Sequence, residues 1–298
     1  MTTTSTSAEA AAEAAEDVRE ELAETGPTPA KAPASRKFLS FLALVGPPLV
    51  VFAVLVAVWY AVSAVLTAQG NGFLLPFPHE VFTKGFFDDQ VRGDIWIALL
   101  RTTGVALTGL AIAIVIGVAW AVAMSLGRWV ERSLYAYAVI LQCIPILALV
   151  PLIGFWFGFD FTARVIVCVL IALFPMVSNT LFGLQSVERS HKELFQLQNA
   201  TKWVVLSKLT FPAALPSIFV GMRTSAGLAV IGAIVGDYFF RRGEPGIGSL
   251  ISNYQSRLQS AELFAAIIAA CLLGVVIFAL FGWLAKLAVG RWYDPVRS

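Results

Sequence analysis

The chain has 298 residues, of which 58% are apolar and only 13% charged, and a mean hydropathy of +0.79 excludes a water-soluble globule: most of this polypeptide is solvated by lipid. The formal net charge of +2 conceals an asymmetry, because residues 1–35 hold seven acids against Arg19 and Lys31, which leaves the remainder basic. That balance fits a membrane body beside anionic headgroups and gives no reason to invoke nucleic acid.

Taken in chain order, residues 1–36 form an acidic segment that ends in the Pro-rich run "GPTPAKAPAS". The segment lacks the basic start, apolar run and small-residue cleavage site of a signal peptide, and it has no apolar stripe to dock. A disordered, solvated cytoplasmic tail is the expectation there, followed by a membrane domain over 37–298. Within that domain, runs long enough to cross a bilayer recur near 40–66, 96–125, 134–157, 163–184, 216–239 and 263–287, which makes about six transmembrane helices. Helices are expected because the runs are continuous, not alternating, and because a helix satisfies its own backbone in lipid. Pro47, Pro48, Pro145, Pro151 and Pro175 lie inside these runs and should kink them. Cys143, Cys168 and Cys271 stand singly in apolar surroundings and are expected to be buried small hydrophobes.

Lysine and arginine near the ends of the spans set the orientation. With the N-terminus in the cytoplasm, eleven of these residues fall inside (Arg36, Lys37, Arg128, Arg132, Arg189, Lys192, Lys202, Lys208, Lys286, Arg291, Arg297) and six outside (Lys84, Arg92, Arg164, Arg241, Arg242, Arg257). Arg101 and Arg223 fall within spans, near enough to an end to snorkel. This orientation puts the polar stretch 186–212 in the cytoplasm. In it, Ser190 and Glu193 have the spacing of a capping box, so a helix should begin at His191. Asn199 stands where that helix can end in a left-handed turn, Thr201 can cap a second short helix through Trp203, Leu206 and Leu209, and Pro212 and Pro216 fix the entry to the next span. From local chemistry alone, such a pair of short helices is either an interfacial amphipathic loop or a docking surface for a cytosolic partner.

The run from Glu193 through Asn199 to "FPAALPSIFVGMR" resembles the cytoplasmic loop of bacterial permeases of ATP-driven, binding-protein-dependent (ABC type I) importers. "ALLRTTGVALTGLAIAIVIGVAWAVAMS", "QCIPILALVPLIGFWFGF", "FPMVSNTLFGLQSVE", "GLAVIGAIVGDYF" and "GIGSLI" resemble, in the same order, segments of the nitrate, sulfonate, taurine and pyrimidine-precursor branch of that family, over residues 97 to 298. The resemblance implies an all-α polytopic fold of the MetI-like kind and a place in the cell membrane of a bacterium. It implies a permease subunit that forms the pathway for a small solute, either a nitrate-, sulfonate- or taurine-like anion or a thiamine-precursor pyrimidine. It also implies the partners: cytoplasmic ATPase subunits, an extracytoplasmic solute-binding protein and a second permease subunit, with membrane lipid around them. In such systems the loop enters a cleft on the ATPase, which makes Glu193, Asn199, Ala200, Thr201, Lys202 and Trp203 the coupling residues.

The sequence departs from that pattern at Leu194 and Phe195, where the family has alanines, and at Asn199, where it has glycine. No Gly-Lys dipeptide occurs anywhere, so the chain has no Walker A loop. It has no visible nucleophile or metal site either, and neither enzymatic activity nor a cofactor of its own is expected, ATP being bound by the partner subunit. Gln142, Ser178 and Asn179 are polar groups in apolar spans that either bond between helices or line the pathway. Asp237 is expected to be an exposed cap, and Trp156, Phe157 and Phe159 an interfacial belt. A secondary transporter would need mid-span carboxylates or internal repeats, neither of which is evident, and a membrane scaffold would have no ATPase partner.

Overall fold

The computed structural model describes residues 34–240 and 243–290. The acidic tail over 1–33, and Arg241, Arg242, Arg291 and Arg297 of the orientation count, lie outside the described residues, as do the side chains of Arg36 and Lys37. All regular structure among the described residues is helical: α1 (Ala34–Ala68), a short α2 (Pro78–Glu80) continued by a π-helical turn, α3 (Asp89–Ser125), α4 (Arg128–Cys143), α5 (Ile146–Phe157), α6 (Phe161–Gln185), α7 (Arg189–Leu197), α8 (Lys202–Val205) with a second π-helical turn (Leu206–Thr210), α9 (Phe211–Phe239), α10 (Ile247–Ser256) and α11 (Ser260–Val289). Contacts divide the chain into two units, one ending at Val58 and one beginning at Trp59. In the first, the described element is the apolar early part of α1.

Among the described residues, five helices are long and apolar enough to cross a membrane, and six spans result if α4 and α5 count as one. That third span departs from the continuous 134–157 run expected, since α4 and α5 meet at a bend of 95°. Pro145 supplies no amide, and the extended conformation of Ile144 (φ −68°, ψ 126°) before it is the one a residue preceding proline prefers. At Pro175 the outcome is different, because α6 runs through it unbroken. The second short loop helix also differs from expectation: α8, its π-helical turn and α9 follow one another directly and count as a single stretch, Lys202–Phe239. Pro212 sits in the first turn of α9, directly after the π-helical turn.

The centre of the second unit is the packing of α3, α6 and α9. Lipid tails are as apolar as leucine, so helices in a bilayer associate through close backbone approach, which small residues allow. Ala106, Ala113, Ala172, Ala226, Ala229 and Ala233 are buried in one cluster with Cys168 at its middle. A methyl group on Gly109 would come within 2.3 Å of the Cys168 Cβ, and one on Gly232 within 2.8 Å of its Cα, so both neighbours must be glycine for α6 to nest between them. Of the three cysteines only Cys168 has the buried environment expected; Cys143 and Cys271 lie exposed on the apolar exterior of the chain. At the head of α3, the Asp88 carboxylate accepts from the amides of Gln90 (2.9 Å) and Val91 (3.1 Å), capping the helix.

Candidate functional site

Three groups of polar residues stand out in the apolar body: the loop between α6 and α9, a set of mid-span groups, and a cluster at the opposite end of the bundle from the loop.

In the loop, α7 begins at Arg189 with Glu188 at its N-cap, two residues before the start expected from a Ser190–Glu193 capping box. Ser190 donates instead to the Glu188 carboxylate (3.3 Å), and His191 Nδ1 lies 3.7 Å from the same group. Glu193 therefore caps nothing and is displayed on the exposed surface. The end of α7 is fixed by two backbone bonds, Asn199 N–H to Gln196 O (2.9 Å) and Ala200 N–H to Phe195 O (3.0 Å), around an Asn199 with φ of 52°. This is the paired closure that satisfies the last carbonyls of a helix, and it needs one left-handed residue, which asparagine can be. Thr201 then takes the N-cap position of α8 with extended backbone but makes no side-chain capping bond.

The loop has two faces. Lys192, Gln196 and Ala200 recur at four-residue spacing along one side and line a cavity of about 390 Å³ against the α3–α4 turn. Lys202 bridges the same gap, donating to Leu126 O at 3.1 Å, and Gln185 donates to Glu131 at 2.8 Å. Leu194, Leu197 and Trp203 face the other way, 53%, 82% and 65% exposed. Leu194 thus occupies the displayed side of the loop and does not intrude between packed helices, whereas Phe195 is half-buried.

The mid-span polar groups do not form one site. Asn179 Nδ2 (2.8 Å) and Ser178 Oγ (3.3 Å) both donate to Pro175 O in their own helix. Gln142, at the last turn of α4, lines a separate cavity of about 240 Å³ together with Phe174 and Pro175.

The third group was missed by sequence reasoning. Asp237, expected as an exposed cap, and Arg164, counted among the charges on the outer side, are buried against each other at 3.2 Å, with side chains 0% and 5% exposed. Thr102 Oγ1 donates to the second Asp237 oxygen at 2.6 Å and accepts from the Ile247 amide at 2.9 Å. Arg164 donates to Glu244 O (2.7 Å) and Phe240 O (3.1 Å), and Ser249 donates to Asp237 O (2.8 Å). Charges this far from water need both partner and hydrogen bonds, and the cluster supplies them from α3, α6, α9, α10 and the segment between the last two. The signal available in the sequence was a pair of opposite charges at matching depth in two apolar runs. Nearby, Arg101 reaches Glu244 (3.1 Å), consistent with a snorkelling side chain, while Arg223 instead lies over the Phe278 ring at 4.1 Å. Trp156 and Phe157 are exposed, but Phe159 packs edge-on against buried Phe240 and belongs to the interior. No metal-binding group of histidine, cysteine and acidic residues occurs among the described residues.

Comparison with known proteins places this geometry. Residues 113–292 match the family described as binding-protein-dependent transport system inner membrane component. The formylaminopyrimidine transport permease protein ThiX of Halalkalibacterium halodurans is 33% identical over 232 residues, 78% of this chain and 90% of that protein. The putative aliphatic sulfonates transport permease protein SsuC of Escherichia coli is 33% identical over 74% of this chain and 82% of its own length. The nitrate import permease protein NrtB of Synechocystis is 25% identical over 81% and 88%. In fold, the chain is similar to a permease chain of the MetNI methionine ABC transporter in an inward-facing conformation, with a TM-score of 0.60 at 15% identity over 70% of this chain and all of that one.

Proposed function

The chain belongs to the binding-protein-dependent transport system inner membrane components, as a multi-pass permease subunit of an ATP-driven importer that forms the pathway for a small solute, and from that premise we propose how its parts divide the work. The loop over 186–212 is the ATPase-coupling element. Its carrying observation is the rigid turn at Asn199, which closes α7 and sets Leu194, Leu197 and Trp203 outward as an apolar surface on a polar loop. Glu193, Asn199, Ala200, Thr201, Lys202 and Trp203 make up the coupling segment, with Glu193 and Trp203 on the exposed side that meets a cleft on a cytoplasmic ATPase subunit and Ala200 and Lys202 on the side that faces the bundle. Lys202, tied to Leu126 O, and α8, continuous with α9, carry movement of that cleft into the membrane helices. Glu193 serves as a carboxylate presented to the partner, since it has no role in capping.

The N-terminus is cytoplasmic, which puts the loop on the ATPase side and the Arg164–Asp237 cluster on the side of an extracytoplasmic binding protein. A homodimer of this chain encloses the pathway, and Gln142, Ser178 and Asn179 contribute to it. ATP binds to the partner subunit and the permease performs no catalysis. ATP-driven closure then switches the pathway between two accessible states by differential contacts at the loop. The three relatives described above are named for formylaminopyrimidine, aliphatic sulfonates and nitrate, and that likeness supports a small anion or a pyrimidine as the solute. Copurification tests the assembly: tagged chain from its native membrane brings down an ATPase subunit and a binding protein on this reading, and recovery of the chain free of an ATPase would refute it.

A further inference from the structure

The cavity of about 390 Å³ between the loop and the bundle is lined by more positive charge than the chain neutralises. Arg128 from the first turn of α4, Lys192 from α7 and Lys202 from α8 share its wall, and Glu131 is the single carboxylate there. Among the described residues, Arg128, Lys192 and Lys202 form no ion pair. Glu131 does not serve them, because its carboxylate accepts from the Gln185 amide at 2.8 Å. Lys202 spends one of its three donors on Leu126 O, and no hydrogen bond to the described residues engages the Arg128 guanidinium or the Lys192 ammonium. The cavity is many times larger than the roughly 30 Å³ that a water occupies in the liquid, so it has room for a polyatomic guest. An oxyanion placed between the three cations removes their mutual repulsion and receives charge-assisted hydrogen bonds from both sides of the gap.

The donor set and the depth of the cavity define that anion further. A planar guanidinium fork beside two compact ammonium groups suits a phosphoryl group. The spans Asp89–Ser125 and Phe161–Gln185 both end at this cavity, with Met124 and Leu184 as the apolar part of its wall, so it lies where acyl chains give way to headgroups. Trp129, next to Arg128 and 80% exposed, has the amphipathic ring that favours the same level. Basic pockets at the cytoplasmic ends of membrane helices take acidic headgroups. We propose that this cavity binds a phosphoryl oxyanion, supplied by the headgroup of an anionic phospholipid of the cytoplasmic leaflet and clamped between Arg128 on the bundle and Lys192 and Lys202 on the loop. The headgroup gives the loop a second tie to the bundle beside the bond from Lys202 to Leu126 O, so the charge of the surrounding lipid sets how firmly the loop is held to α4. The choice of leaflet rests on the import reading above; the site goes beyond it.

The test uses this chain with its ATPase subunits, purified in detergent and offered equal amounts of phosphatidylglycerol and phosphatidylcholine of the same acyl chains, or inorganic phosphate, with bound molecules counted by native mass spectrometry. One phosphatidylglycerol per permease chain, retained in preference to phosphatidylcholine, is expected. Arg128→Gln combined with Lys192→Gln should lower that affinity at least about 10-fold, the value of one hydrogen bond between charged groups. Lys208→Gln, which removes a cation of the same loop that does not line the cavity, should leave it unchanged, and so separates a site from general attraction of a basic loop to acidic lipid. Should the double variant fail to fold, as judged by its thermal unfolding temperature, Lys192→Gln alone takes its place. Inorganic phosphate bound without a preference for phosphatidylglycerol, and lost in the double variant, keeps the oxyanion site and overturns the headgroup as its source. Equal retention of both lipids with no phosphate bound, or retention of phosphatidylglycerol undiminished in the folded variant, overturns the proposal. Recovery of the chain without ATPase subunits overturns the import reading and is scored independently of the lipid count.

Discussion

Asn199 and Asp237 show how single residues acquire roles from opposite kinds of surroundings. The φ of 52° at Asn199 is a local requirement, set by two backbone bonds within five residues, and it was legible from residue type alone. Asn199→Gly should therefore keep the turn, while Asn199→Val places a β-branched side chain where left-handed backbone costs roughly 1–2 kcal/mol and distorts the loop surface. Uptake measured against ATP hydrolysis separates the two: the glycine variant stays coupled and the valine variant hydrolyses ATP without importing. Asp237 could not be read in this way, since its partner Arg164 is 73 positions away and only the packing of α6 on α9 brings them to 3.2 Å. Removing Arg164 leaves the Asp237 carboxylate buried without its counter-charge, so Arg164→Met should cost about 3–5 kcal/mol and lower the thermal unfolding temperature in detergent. Replacing both, as Arg164→Met with Asp237→Leu, should cost less than either single change; a double variant as unstable as the sum of the singles would contradict the pairing.

Elements were legible where their cause is local and uniform. Long apolar runs gave the spans, but the bend between α4 and α5 escaped because Pro145, Pro151 and Pro175 look alike in sequence and only the first breaks its helix. Neighbouring packing decides which proline is accommodated, and that information is tertiary. The start of α7 was misplaced for a different reason: Ser190 and Glu193 have capping-box spacing, yet Glu188 takes the cap position first and holds Ser190 and His191 by their side chains. Glu193→Ala should accordingly leave the helicity of a peptide spanning 186–201 unchanged, and its effect, if the carboxylate meets the partner, should appear as weaker recovery of the ATPase with the permease. Circular dichroism and quantitative copurification measure the two separately. In the bridge between loop and bundle, Lys202→Met removes the bond to Leu126 O and should reduce uptake per ATP hydrolysed several-fold, whereas Lys208→Met, which has no such bond, should not.

For the whole molecule, composition fixed the solvent and ordered motifs fixed the family, while the arrangement of polar groups needed three dimensions. The described helices put a loop with an exposed apolar side at one end, a buried charge cluster at the other and a helix break between them. α6 runs the full distance, with Arg164 in its first turn, Pro175 at its middle and Gln185 at the loop. That continuity supports a permease in which force applied at the loop reaches the pathway through one helix. The most direct test is uptake into proteoliposomes holding this chain with its ATPase subunits, supplied with loaded binding protein and internal ATP, for the wild type and Asn199→Val. The account predicts ATP hydrolysis in both and uptake in the wild type alone; full uptake by Asn199→Val would contradict it.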